Sequence, residues 1–182
     1  KDAERAEEWL GQIPSEAPRI AFVTQNSGGQ RNQWSVPRFQ QLISYLSQHR
    51  NAVPVFLGTT SDAAAIEALR GNLPDRGILL AGKTTIPELA AVLSQCDLGV
   101  SLDTGTFHVA RAVGLPGVVI APAWQNPLEW LPVQHPQYRV LRGPSIEKAP
   151  PGYWIEEVSV EQVVDAAMEL MAAFNSEVNR RV

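Results

Sequence analysis

Short apolar segments rich in β-branched residues alternate along the chain with longer segments in which apolar residues recur at helical spacing. Over residues 39–46 the apolar positions follow i, i+3, i+4 and i+7, which is one face of a helix. Similar spacing predicts helices over 63–69, 104–113 and 160–174. The apolar segments predict strands at Arg19–Thr24, Val53–Leu57, Gly77–Ala81, Asp97–Leu102, Val118–Ala121 and, as a sixth candidate, Tyr138–Leu141.

The sequence Thr85-Ile86-Pro87-Glu88 predicts where a further helix begins. Thr85 is a suitable N-cap, Pro87 fits the first turn, and Glu88 can reach back to the cap, which is the pattern of a capping box. We expect this helix to run to about Gln95.

Strands and helices in this alternation predict an α/β fold, a Rossmann-like, mostly parallel sheet with helices on both faces. We assign residues 18–182 to this domain, and residues 1–17 to a peripheral helix or the remnant of a linker to another domain. Ligands bind such sheets beyond the carboxyl ends of the strands. Function is therefore expected in the segments Gln25–Trp34, Gly58–Asp62, Gly82–Ile86, Asp103–His108 and Pro122–Trp130.

Composition narrows the classes of partner. A net charge of −4 over 182 residues argues against a nucleic-acid groove, which needs a basic surface to neutralise phosphates. The single cysteine, Cys96, suits a reducing cytosol and continues an apolar helical stripe, which favours a buried thiol over a reactive one. The charged start and the lack of an apolar run of about 20 residues predict a soluble protein without a signal peptide or membrane helix.

The segment 101–108 is the most informative candidate for chemistry. A buried strand runs here directly into a helix, whose first N–H groups are unpaired and whose dipole is positive at that end. Gly105 lets a phosphate approach the backbone, and the hydroxyls of Thr104 and Thr106 can donate to it. His108 lies one turn further on the face of Thr104 and can add a charged hydrogen bond. The segment predicts a diphosphate site.

The loop after the first strand is a second candidate. Ser27 and Gly28 are small enough for the backbone to approach a phosphate, and Arg31 supplies positive charge. The loop does not match the pattern GxGxxG. A dinucleotide site for hydride transfer therefore has only weak support from the sequence. Trp124 and Trp130 flank a proline-rich turn after the fifth strand, where packing in the core or an interface is the alternative to stacking on a ligand.

Simpler structural interpretations remain open at these positions. Asp103 can merely cap the helix while His108 packs against the sheet. The loop 25–33 can be an ordinary surface loop, and Lys83, which follows the third strand, an ordinary solvated lysine.

The segment Gly77–Thr84 matches the Walker A pattern GxxxxGK[ST] letter by letter. A true P-loop needs a flexible loop between its glycines and a lysine at the mouth of a helix. Here the intervening Ile-Leu-Leu-Ala is itself a strand, and the capping box starts the helix after Thr84. We therefore predict no P-loop. No metal site is predicted either, because His49 and His135 lack partners at ligand spacing and the chain has no DxD motif.

The sequence over 79–132, and more weakly over 18–174, is similar to the C-terminal half of glycosyltransferase family 9, the lipopolysaccharide heptosyltransferases. That family has an apolar strand ending in a GKTS-like loop, a leucine-rich helix, and a strand leading into a DTGxxH motif with alanine, glycine and proline at fixed places after it. The matching positions are Gly82–Thr85, Asp103, Thr104, Gly105, His108, Ala110, Ala112, Gly114 and Pro116.

The resemblance implies a GT-B architecture, two Rossmann-like domains facing across a cleft, of which this chain is the donor-binding C-terminal half. A nucleotide sugar would bind as substrate, with no separate cofactor and no metal. The expected contacts to its diphosphate and base are Asp103, Thr104, Gly105, Thr106, His108, Lys83, Thr84, Thr85, Ile86, Ser27, Gly28 and Arg31, with Asp62 a weaker candidate for the ribose. The family often has a basic residue two positions before the tryptophan, where this chain has Asn32.

We therefore expect the donor domain of an inverting, metal-independent glycosyltransferase that moves heptose from ADP-heptose, or a related nucleotide sugar, to a lipopolysaccharide-type glycolipid. The resemblance places the catalytic base and the acceptor site in an N-terminal Rossmann-like domain, so no catalytic residue is predicted in this chain. We expect a cytoplasmic location, with a peripheral position at the inner membrane allowed. The alternatives are a non-catalytic nucleotide- or nucleotide-sugar-binding module and, less favoured, a P-loop nucleotide hydrolase.

Overall fold

A computed structural model of the chain describes residues 1–25, 32–125 and 130–178. The strands in this part are β1 (Arg19–Val23), β2 (Val53–Phe56), β3 (Ile78–Leu79), β4 (Leu98–Leu102), β5 (Gly117–Ile120) and β6 (Tyr138–Leu141). The helices are α1 (Asp2–Leu10), α2 (Val36–Arg50), α3 (Ala63–Arg70), α4 (Ile86–Leu93), α5 (Gly105–Ala112) and α6 (Val160–Val178). The predicted strands and helices are confirmed, with β3 shorter than expected and an additional 3-10 turn at Thr60–Asp62.

The strands form one sheet in the order β3-β2-β1-β4-β5-β6, and every neighbouring pair is parallel. Side chains alternate between the two faces, so that Ile20 and Phe22 pack with α2, α3 and α6, while Ala21 and Val23 pack with α1, α4 and α5. The predicted α/β class, with helices covering both faces of a parallel sheet, is confirmed.

The N-terminal helix packs as part of this body. Ala6 and Leu10 of α1 are fully buried against α4, where Val92 and Leu93 complete the contact. Cys96 lies half-buried at the edge of the same cluster, and its desolvation raises the pKa of the thiol to about 12. This agrees with the interpretation of Cys96 as a packed thiol. In the described part of the chain, no helix has both the length and the apolar character needed to cross a membrane.

The connections create a crevice at the centre of the sheet. From β1 the chain builds β2 and β3 on one side, then returns through α4 to build β4, β5 and β6 on the other. The neighbouring strands β1 and β4 therefore send their connections to opposite faces, into α2 and α5. Such a switch point, beyond the carboxyl ends of the strands, is where open parallel sheets bind ligands.

Candidate functional site

The start of α4 has the predicted capping box. The Thr85 hydroxyl and backbone N–H both donate to Glu88 at 2.8 Å, and the Glu88 N–H donates back to the hydroxyl at 3.4 Å. Lys83 and Thr84 therefore precede the helix. Because Ile78 and Leu79 are strand residues, the segment 77–84 does not have the form of a P-loop.

The start of α5 is not capped by a side chain. Thr104 stands at the N-cap position, and its side chain makes no capping hydrogen bond. Within the described residues, the buried Thr104 Oγ1 has no hydrogen-bond partner. The N–H groups of Gly105 and Thr106 open the helix and have no intrahelical acceptor, by the geometry of any α-helix. The alternative in which Asp103 is only a cap is thus not what the structure has.

The space above Gly105 is open. A Cβ built on this glycine would have no atom within 4 Å, and the residue is exposed. A ligand oxygen can therefore reach the backbone here without displacing any described part of the chain.

A pocket of about 630 Å³, open to solvent, lies over this helix start. His108 is exposed at its edge and does not pack against the sheet, contrary to the simpler interpretation. Trp130, which is 63% exposed, faces solvent and does not pack in the core. The residues lining the pocket are Asp103, Thr104, Gly105, His108, Trp124, Gln125 and Trp130.

Asp103 is the buried charge of the pocket, with 9% of its surface exposed. Burial raises the pKa of its carboxyl, while the positive charge of His108 and a hydrogen bond from the Gln125 side chain partly offset this rise. His108 and Gln125 therefore both act on the Asp103 carboxyl.

Asn32 connects the two loops of the switch point. It is 1% exposed, and its Nδ2 donates to the backbone carbonyl of Asp103 at 3.1 Å. The position where the sequence departs from the family's basic residue is therefore occupied by an amide that ties the loop after β1 to the turn after β4.

Other predicted residues lie apart from this pocket. Thr106 lines a separate apolar cavity between α5 and the sheet. Lys83–Ile86 follow β3, three strand intervals from β4 or about 14 Å at the usual spacing. Lys83 is exposed and Ile86 is 72% exposed, while the Asp62 carboxylate is bonded to Thr59. Ser27, Gly28 and Arg31 lie outside the described residues.

Sequence reasoning missed the contribution of Gln125 and left Trp124 and Trp130 undecided. One signal was available: all three residues lie in Pro122–Trp130, which follows the fifth predicted strand at the end of the sheet where ligands bind. No cluster of three His, Cys, Asp or Glu side chains suited to a metal ion is found among the residues described.

Comparison with known proteins gives a consistent assignment. The family model for glycosyltransferase family 9 (heptosyltransferase) matches residues 1–148. A lipooligosaccharide heptosyltransferase 2 of Haemophilus influenzae is 29% identical over 121 residues, 62% of this chain and 35% of that protein. A family 9 glycosyl transferase from Veillonella parvula superposes with a TM-score of 0.82 at 23% identity, over 94% of this chain and 52% of that one.

A second solved structure, the ADP-heptose lipopolysaccharide heptosyltransferase II of Escherichia coli, superposes with a TM-score of 0.79 at 19% identity. The match covers 96% of this chain and 52% of that one. The chain thus spans about half the length of these solved structures and a third of the curated relative.

Proposed function

The chain belongs to glycosyltransferase family 9, and on that premise we propose that it binds the nucleotide-sugar donor of a lipopolysaccharide heptosyltransferase. The observation that carries the proposal is the start of α5, which opens uncapped into a solvent-accessible pocket at the switch point of the sheet.

The groups at this helix start suit a diphosphate. The free N–H groups and the helix dipole attract negative charge. The unpaired Thr104 hydroxyl can donate, the space at Gly105 lets an oxygen approach, and His108 can add a positive charge. The ionised Asp103 carboxylate would oppose an anion here, so the N–H groups and His108 would have to outweigh its charge.

The same groups suit the chemistry of glycosyl transfer. When the bond between sugar and diphosphate breaks, negative charge grows on the leaving phosphate. Helix N–H groups and His108 would stabilise that charge without a metal ion, and we propose a metal-independent reaction. We further propose that it inverts the sugar's configuration, with a base in the other half of the enzyme.

The positions of the nucleobase and of the acceptor are part of the same proposal. We propose that the adenine of ADP-heptose lies towards Lys83–Ile86, at a distance from α5 that a nucleoside diphosphate can bridge. The solved relative whose name includes ADP-heptose supports this donor. The glycolipid acceptor would bind a second, N-terminal Rossmann-like domain, and the enzyme would work in the cytoplasm or on the inner membrane surface.

Calorimetric titration with ADP, UDP, GDP and ADP-heptose, in buffer free of magnesium, tests the proposal. We expect saturable binding of ADP and ADP-heptose, and weaker binding of the other two nucleotides. His108→Ala should weaken ADP binding by about 1.5–3 kcal/mol, the cost of one hydrogen bond to a charged group. Because His108 is exposed, its loss should leave the melting temperature unchanged. Equal ADP affinity in wild type and variant would contradict the assigned diphosphate site.

A further inference from the structure

The pocket wall formed by Trp124 and Gln125 is supported from behind through the residue before it. Ala123 is 1% exposed, and both of its backbone polar groups are bonded to later parts of the chain. Its N–H donates to Tyr153 Oη at 3.0 Å. Its carbonyl accepts from Arg142 Nη2 and from the Ile146 N–H, the latter at 3.1 Å.

The two side chains that hold Ala123 are themselves fixed. The Tyr153 hydroxyl donates to the Glu157 carboxylate, 3.0 Å from one oxygen and 3.2 Å from the other, and its ring packs on the core. Arg142 Nη2 also donates to Ser145 Oγ at 3.1 Å. We call Tyr153 and Arg142, with their bonds to Ala123, and Glu157, which accepts from Tyr153, the Ala123 support.

This support is needed because the wall has little regular structure of its own. The connection from β5 to β6 contains no helix in its described residues, so hydrogen bonds to other segments must fix it. From Gln125 the chain of contacts continues into the pocket, because Gln125 and Asp103 line it together and the Gln125 side chain lowers the pKa of the Asp103 carboxyl. A displacement of Ala123 would therefore be passed on to Asp103.

We propose that Tyr153 and Arg142 are positioning residues for the donor pocket, which hold Ala123 from its two polar sides and so place Trp124 and Gln125 against Asp103. Neither side chain lines the pocket, and both act through the backbone of Ala123. The importance of this placement for binding rests on the proposed function.

Tyr153→Phe tests the proposal, because it keeps the packed ring and removes only the hydroxyl. The matched control is Tyr45→Phe, since Tyr45 is exposed on α2 and stacks on His49. NMR of the full chain would follow the Gln125 side-chain amide and the pH titration of the Asp103 carboxyl. We expect the Gln125 signals to shift in Tyr153→Phe. The pKa of Asp103 should rise further there, because displacement of the Gln125 side chain removes an influence that lowers it. Tyr45→Phe should match wild type.

Calorimetry with ADP-heptose adds the functional measurement. Tyr153→Phe should weaken binding about threefold to tenfold, the range that one lost hydrogen bond gives. Unchanged Gln125 and Asp103 signals would overturn the proposal, and so would shifted signals with unchanged affinity.

Two further outcomes are separable. If Tyr153→Phe does not fold, it is replaced by Arg142→Met, which removes the donors and keeps an apolar stem. If neither variant folds, the Ala123 support is purely structural and the proposal is overturned. If wild type binds no nucleotide, the proposed function fails. The NMR measurements then still decide whether Tyr153 places Gln125.

Discussion

The start of α5 offers a substitution that separates ligand binding from folding, Gly105→Ala. Gly105 is the first residue of the helix and is not among the glycines with positive φ. An added methyl group would meet no atom within 4 Å. The described chain therefore has room for alanine, and the methyl group would occupy the space through which a phosphate oxygen would reach the backbone.

The substitution should raise the stability of the fold and lower the affinity for ADP. Alanine at a compatible site stabilises a fold by about 0.4–1 kcal/mol relative to glycine, chiefly by restricting the unfolded chain. The same methyl group should cost at least one charged hydrogen bond between backbone and diphosphate, roughly 1.5–3 kcal/mol. We therefore expect ADP affinity to fall about tenfold to a hundredfold, while the melting temperature stays equal or rises.

Calorimetric titration and thermal unfolding of the same samples would measure both effects. The matched control is Gly71→Ala at the end of α3, where φ is −55° and the nearest atom to an added Cβ would be the Ala68 carbonyl oxygen at 3.4 Å. This control should show wild-type ADP affinity. Unchanged affinity in Gly105→Ala, in a sample that binds ADP, would refute the placement of the diphosphate at this helix start.

Two further predictions concern protonation. Burial raises the pKa of Asp103 above its ordinary 3.8. Between the pKa of the unfolded chain and that of the folded chain, the folded state therefore keeps a proton that the unfolded state has released. The free energy of unfolding falls as the pH rises through this range. Asp103→Asn should therefore be more stable than wild type at about pH 7 and should lose this advantage near pH 4 in urea unfolding; an advantage independent of pH would contradict the argument. Cys96, with its pKa raised to about 12, should react with Ellman's reagent far more slowly in the folded chain than in urea, and equal rates would show that the thiol is accessible.

The fold could be predicted because its signals are local. Each strand and helix shows in the period of its own residues, and the capping box at Thr85 and Glu88 placed the start of α4 well enough to exclude a P-loop at Gly77–Thr84. The length of β3 was overestimated. Its apolar residues continue to Ala81, but the pairing with β2 ends at Leu79, and Leu80 continues with a single hydrogen bond to Phe56.

The candidate site was predictable only where one segment carries it. Thr104, Gly105 and His108 lie on a single turn, so their convergence is a property of local helical spacing. Asn32 meets Asp103 across 71 positions of sequence, and Tyr153 meets Ala123 across 30. Such contacts depend on the order of strands in the sheet, and the spacing of apolar residues along the chain does not predict that order.

The two edge strands of the sheet, β3 and β6, also affect whether the chain aggregates at high concentration. An open parallel sheet exposes unpaired backbone groups at each edge, which can recruit a strand from another molecule. At one edge β3 offers only two residues, and at the other the Arg139 guanidinium of β6 is bonded to Glu169 of α6. A short strand and a charged one are poor templates for strand addition. The sheet is therefore protected against edge-to-edge aggregation at both of its open sides.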